Sequence, residues 1–207
     1  MASVLNVFHC QQKADGYCLA ACAHMVLTYL GISCSQDDLA RQLGVRPHLG
    51  APSSRLLRLR SAVLDMIYTA GDLEDLAVWL DQGLPALAFV QVDQLPYWRG
   101  QQFQHAVVIV GLDTQAVYLL DPAADAAPIR VLRGDFNLAW DEMDCVYAIF
   151  RRVGDTQDEQ RALGVLSKPK NMTARFKGFV RPHTSGEELH EDYELSFART
   201  SFIINST

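Results

Sequence analysis

Three residues of this chain stand where nucleophilic chemistry needs them: Cys18, His105 and Asp121. Cys18 opens an apolar stretch, CLAACAHMVLTYL (18–30), that follows the turn-like Ala14-Asp15-Gly16-Tyr17 and stops at Gly31. Apolar side chains run almost all the way round this segment, the pattern of a helix buried on most sides, and the glycine suits its end. A thiol at the start of such a helix faces unpaired backbone N–H groups and the positive end of the helix dipole, both of which favour the thiolate. With an imidazolium beside it, a thiolate so mounted is a strong nucleophile towards a carbonyl carbon.

His105 immediately precedes AVVIVGL (106–112), a nearly continuous apolar run that reads as a buried strand. Its expected place is the start of that strand, at the edge of the sheet rather than deep within it. AVYLL (116–120) reads as the next strand, and only Asp113, Thr114 and Gln115 separate the two, so they form a hairpin. A hairpin sets the beginning of one strand beside the end of the next. His105 and Asp121 therefore become neighbours, and the carboxylate can orient the imidazole and fix its tautomer. Gln12, six residues before Cys18, can aim a side-chain N–H at the oxyanion formed when the thiolate attacks, with the Cys18 backbone N–H as second donor. A donor of this kind contributes about 3 kcal/mol to the transition state. Gln11 competes for the role, because adjacent glutamines leave the register open by one.

The elements that must position these groups follow an α+β order. After the Cys18 helix, Ser35 and Asp38 suggest a capped helix over 35–43 ended by Gly44, and a third helix is expected at 53–62 after Pro52. A strand at 64–69 follows, then a helix at 73–82 capped by Asp72, and a strand at 85–92. A short helix near 134–140 and a last strand at 146–151 complete the domain, expected to span 1–152.

The other cysteines, at 10, 22, 34 and 145, make an odd total of five with no disulfide framework and no matching zinc-ligand spacing. Cys10, Cys34 and Cys145 read as small buried hydrophobes. His24 lies on the helix beyond Cys18 and points elsewhere, while His9, His48, His183 and His190 sit in loop-like or terminal segments. No metal or other cofactor is implied. The formal charge of −6 with no long basic run argues against nucleic acid. No stretch approaches the 18 or so apolar residues of a membrane span, and the N-terminus lacks a signal-peptide pattern, so the expected compartment is the cytoplasm. Residues 153–207 read as an extension of unassigned fold, with a basic block at 168–181 and an acidic one at 187–194 of the kind usually found in solvated or mobile chain.

QKADGYCLAACAHMVLTYLG resembles the nucleophile motif of the bacterial double-glycine peptidases, papain-like enzymes that process bacteriocin leader peptides. The family's glutamine, cysteine, methionine and glycine fall on Gln12, Cys18, Met25 and Gly31, and HAVVIVGLDTQAVYLLDPA is similar to its histidine strand and Asp-Pro element. The resemblance, over about residues 5–150, implies a papain-like fold with a buried nucleophile helix packed on an antiparallel sheet. It further implies a cysteine peptidase working through a Cys18 thioester, with His105 as base, on a peptide or protein substrate. Tyr17 and Leu19 stand where the family usually has Asp and Gly, which alters the channel beside the nucleophile. Family members are often fused to a transporter. This sequence, with no nucleotide-binding glycine loop, reads as a free-standing relative whose transporter, if any, is a separate partner. Two other readings use the same site: a catalytically idle peptide-binding relative, disfavoured by the retained Cys18, and an acyl transferase with an amine acceptor.

Overall fold

A computed structural model describes residues 4–98 and 100–154; the expected extension at 153–207 lies, but for its first two residues, outside them. The described residues hold four α-helices and six strands in the order α1 (Cys18–Tyr29), α2 (Gln36–Leu43), β1 (Leu64–Ala70), α3 (Leu73–Asp81), β2 (Ala86–Gln91), β3 (Gln104–Leu112), β4 (Ala116–Leu120), β5 (Ile129–Leu132), α4 (Arg133–Asp141) and β6 (Val146–Arg152). The strands form one antiparallel sheet in the order β1-β6-β2-β3-β4-β5.

Strand alternation sorts the side chains into two layers. On one face Leu87 and Phe89 of β2, Ala106, Val108 and Val110 of β3, and Phe150 of β6 pack with α1. On the other, Ala88 and Val90, Val107 and Ile109, and Ile149 pack with α3 and α4 through Leu76, Phe136 and Trp140. Both faces of β2 and β3 are thus covered, which is why their sequences read as continuous apolar runs. Helix α1 is wedged against the sheet: Leu19, Ala20, Cys22, Ala23, Met25 and Val26 are all within 1% of full burial.

Local signals set most boundaries. Ser35 accepts the backbone N–H of Asp38, and Gly44 ends α2 in the left-handed region at φ +63°. Asp72 and Asp75 form a reciprocal capping box at the start of α3. The helix expected at 53–62 is instead a 3-10 segment, Ser53–Leu59. Its two buried side chains, Leu56 and Leu59, are three apart, the period at which a 3-10 helix keeps one face inward. The Arg55 guanidinium also fixes this segment by donating to the carbonyls of Leu43 and Gly44 at 3.2 and 2.5 Å. Strand β5 is an addition to the expected set, and β3 starts at Gln104, so His105 lies inside it.

Candidate active site

Cys18 is the first residue of α1, and no side chain caps that helix: Tyr17, at the capping position, makes no such hydrogen bond. The first-turn amides are therefore free to face the sulfur and whatever it attacks. The chain enters the helix through Gly16, at φ +83°, packed so closely on the Arg46–Gly50 turn that a Cβ there would stand 2.7 Å from the Gly50 nitrogen. Burial raises the pKa of the Cys18 thiol, but the hydrogen bond and charge of His105, together with the backbone N–H groups of Ala106 and Leu19, outweigh it and hold the thiol below its ordinary value. One turn on, Cys22 has no such support. Its thiol donates to the Ala106 carbonyl at 3.2 Å, and burial, followed by the charges of Cys18 and Asp121, pushes it well above the ordinary range.

His105 belongs to an interior strand, between β2 and β4, and is only 3% exposed. As expected it stands near the start of a core strand, being the second residue of β3; it is more deeply covered than a position at the rim implies, because the aromatic rings of Trp98 and Phe103 close over it. Its Nε2 is 2.8 Å from Asp121 Oδ1, which leaves Nδ1 as the nitrogen through which it can interact with Cys18. Burial lowers the His105 pKa, yet the hydrogen bond and charge of Asp121, then those of Cys18, raise it to about 10.

Asp121 is fully buried and saturated with donors. Oδ1 accepts from His105 and from the Ala123 backbone N–H at 2.8 Å; Oδ2 accepts from Tyr97 Oη and Trp98 Nε1, each at 2.9 Å. Burial raises its pKa, and the His105 charge and these hydrogen bonds overcome that, leaving it at about 2. Burial, then the Asp121 charge, drives the Tyr97 hydroxyl far up, so it stays a donor. Nothing local in the sequence marks Tyr97 and Trp98 as partners of Asp121, although an aromatic pair eight and seven residues ahead of a candidate base is a usable signal. His9, in a loop-like segment as expected, nonetheless reaches the site's backbone: its Nε2 lies 2.8 Å from the Asp121 carbonyl oxygen.

A cavity of about 270 Å³ opens over the sulfur, lined by Gln12, Cys18, Leu49, Trp98, Gln104 and His105 among others. Of the two candidate glutamines, Gln12 lines it. Gln11 instead turns its Nε2 to Asp125 Oδ1 at 2.8 Å. The Gln12 backbone N–H donates to the Pro122 carbonyl at 2.7 Å, its Oε1 is buried without a partner, and its Nε2 donates to nothing among the described residues. His24 does face away, with Nδ1 4.0 Å from the Cys34 sulfur. Cys10, Cys34 and Cys145, expected to be buried, are only half-buried.

The sequence profile of the Peptidase_C39-like family matches residues 4–148. The chain belongs to that peptidase family. Its fold is that of solved C39 domains. A protein described as a C39-like peptidase from Bacillus anthracis is 18% identical, with a TM-score of 0.61 over 72% of this chain and 98% of that one. A double glycine motif protease from an AMS/PCAT transporter, solved with its leader peptide, is 19% identical with a TM-score of 0.55, over 73% of this C39-like chain and 95% of the other. The peptidase domain of Streptococcus ComA, a bifunctional ABC transporter of a quorum-sensing pathway, is 15% identical with a TM-score of 0.57, over 69% and 96%. A search of curated protein sequences returned no significant match. Among the described residues of this C39-like chain, no helix is long and apolar enough to cross a membrane.

Proposed function

We propose that this protein is a cysteine peptidase that hydrolyses a peptide bond through a Cys18 thioester. The observation that carries the reading is that His105, its Nε2 held by Asp121 at 2.8 Å, is the group that holds the Cys18 thiol below its ordinary pKa at the uncapped N-terminus of α1. The Cys18 thiolate attacks the scissile carbonyl carbon, forming the C–S bond and an oxyanion. Gln12 Nε2 and the Cys18 backbone N–H are the donors for that oxygen. As the C–N bond breaks, the His105 imidazolium gives its proton to the leaving amine. Water then loses a proton to His105 and attacks the thioester; the C–S bond breaks and the acid product leaves. Asp121 keeps the imidazole turned towards the sulfur throughout.

A substrate whose leader ends in two glycines just before the scissile bond suits a cavity this small, with Trp98 and Leu49 on its walls, and a related domain was solved with a leader peptide. The test is direct. A peptide carrying a double-glycine leader is incubated with the protein in H₂¹⁸O. Hydrolysis adds one heavy oxygen to the new carboxyl group, transfer to an added amine adds the amine's mass instead, and Cys18→Ala should abolish both. An intact peptide at every protein concentration, with Cys18 no more reactive than the other thiols, would leave only the peptide-binding reading.

A further inference from the structure

The residues on either side of Gln12 are gripped by one side chain from a different element. Gln36 is the first residue of α2 and, although polar, is only 3% exposed. Its Nε2 donates to the Gln11 carbonyl at 2.7 Å and to the Cys10 sulfur at 3.1 Å, while its Oε1 accepts the Lys13 backbone N–H at 3.1 Å. The carbonyl before Gln12 and the N–H after it are therefore both tied to a single amide, much as a neighbouring strand would tie them. The intervening N–H, that of Gln12, goes the opposite way, to Pro122 in the turn just after Asp121. Gln12 is thus held between the start of α2 and the carboxylate turn, with its side chain facing the cavity.

We propose that Gln36 is a positioning residue for the oxyanion donor: it fixes the backbone around Gln12 and so aims the Gln12 amide over the Cys18 sulfur. The inference rests on the reading of Gln12 given above. A buried primary amide is costly unless its donors and acceptor are matched, and every polar contact of this one is spent on the loop that carries Gln12 or on Cys10 within it. The neighbouring Lys13–Asp37 ion pair cannot replace it. That pair is exposed and worth little, and it grips a flexible side chain rather than the peptide units. A shift of about 1 Å in such a group is enough to cost up to about 100-fold in rate.

Two reactions of the same sulfur separate aiming from general damage. Acylation by N-acetyl-glycylglycine p-nitrophenyl ester passes through an oxyanion; alkylation by iodoacetamide does not. Gln12→Ala should slow the p-nitrophenolate burst about 100-fold. Gln36→Met, which keeps the side-chain length and loses the hydrogen bonds, should slow it about tenfold. Both should alkylate within about twofold of wild type, and the double variant should acylate no more slowly than Gln12→Ala alone. A Gln36→Met burst equal to wild type, a parallel fall in alkylation, or additive losses in the double variant would each overturn the proposal. A normal burst in Gln12→Ala removes the oxyanion reading itself, and a wild-type burst no larger than that of Cys18→Ala removes the peptidase reading; the proposal falls with either. If Gln36→Met does not fold, hydrogen exchange on the wild type decides. The Gln12 and Lys13 amides should be protected like those of the α1 core, and exchange at free-loop rates overturns the proposal.

Discussion

His105 Nε2 lies 2.8 Å from Asp121 Oδ1, and neither side chain is open to solvent. The contact orients the imidazole and, with the charge of Asp121, raises its pKa well above the ordinary histidine value.

Stability should depend on pH in a way set by this pair. The His105 pKa is raised from its ordinary 6.5 to about 10, so its contribution is complete below 6.5 and disappears as pH climbs through about 10. The Asp121 pKa is lowered from 3.8 to about 2, so its contribution is complete above 3.8 and disappears as pH falls through about 2. Thermal midpoints should be highest between those inner limits and decline on the alkaline side. In Asp121→Ala the alkaline decline should flatten; an unchanged slope would show that the pair is not its source.

Iodoacetamide should find Cys18 first. Its thiol is held below the ordinary value of 9.0 while that of Cys22 is pushed well above it. Alkylation of Cys18, followed by peptide mass mapping, should therefore proceed well below pH 8 while Cys22 stays unlabelled. Replacing His105 with Ala should move the onset upwards, because the hydrogen bond and charge that offset burial are lost. Equal labelling of the two thiols would contradict the charged-pair picture.

Asparagine should be a poor substitute for Asp121, for a reason outside the His105 contact. Oδ2 accepts two donors, Tyr97 Oη and Trp98 Nε1. A hydroxyl can turn to accept from an amide NH₂, whereas an indole N–H can only donate. Asp121→Asn should lower kcat/KM by about a thousandfold. Adding Trp98→Phe, which keeps an aromatic ring against His105, should recover about tenfold. Strict additivity of the two losses would show that the indole N–H is not the obstacle.

Gly16→Ala should be disproportionately harmful for a one-carbon change. The added methyl meets the Gly50 nitrogen at 2.7 Å, and the backbone is already at φ +83°. The left-handed conformation alone costs about 1–3 kcal/mol for a non-glycine residue. Because the Arg46–Gly50 turn carries Leu49 to the cavity wall, KM should rise as well. A denaturation midpoint and KM both matching wild type would mean that the turn simply moves aside.

What could be read from the sequence was whatever had a strong local signature. The apolar run after Cys18 marked a buried helix, the hairpin spacing brought His105 and Asp121 together, and Ser35 and Asp72 announced their caps. The groups that escaped act across the fold. Tyr97 and Trp98 sit in a short 3-10 turn whose aromatics could equally have been core, and their common target is 23 or 24 residues away. Gln36 looked like an ordinary first-turn residue, since its partners belong to another loop. Strand β5 has only four residues, of which just Val131 is buried, too few to show a period. The start of a core strand was legible for His105, but its near-complete burial was not, because the rings that cover it come from a separate segment.

The arrangement β1-β6-β2 has a consequence for how the chain comes together. β1 touches the rest of the sheet only through β6, which is made last of the six and has to slot between two strands synthesised long before it. A nascent chain that already contains Cys18, His105 and Asp121 but has not yet reached Val146 leaves β1 with no strand to join, and the apolar side of β2 with an open flank. The candidate catalytic residues all lie within the first 121 positions, but the sheet that mounts them is completed only when β6 arrives.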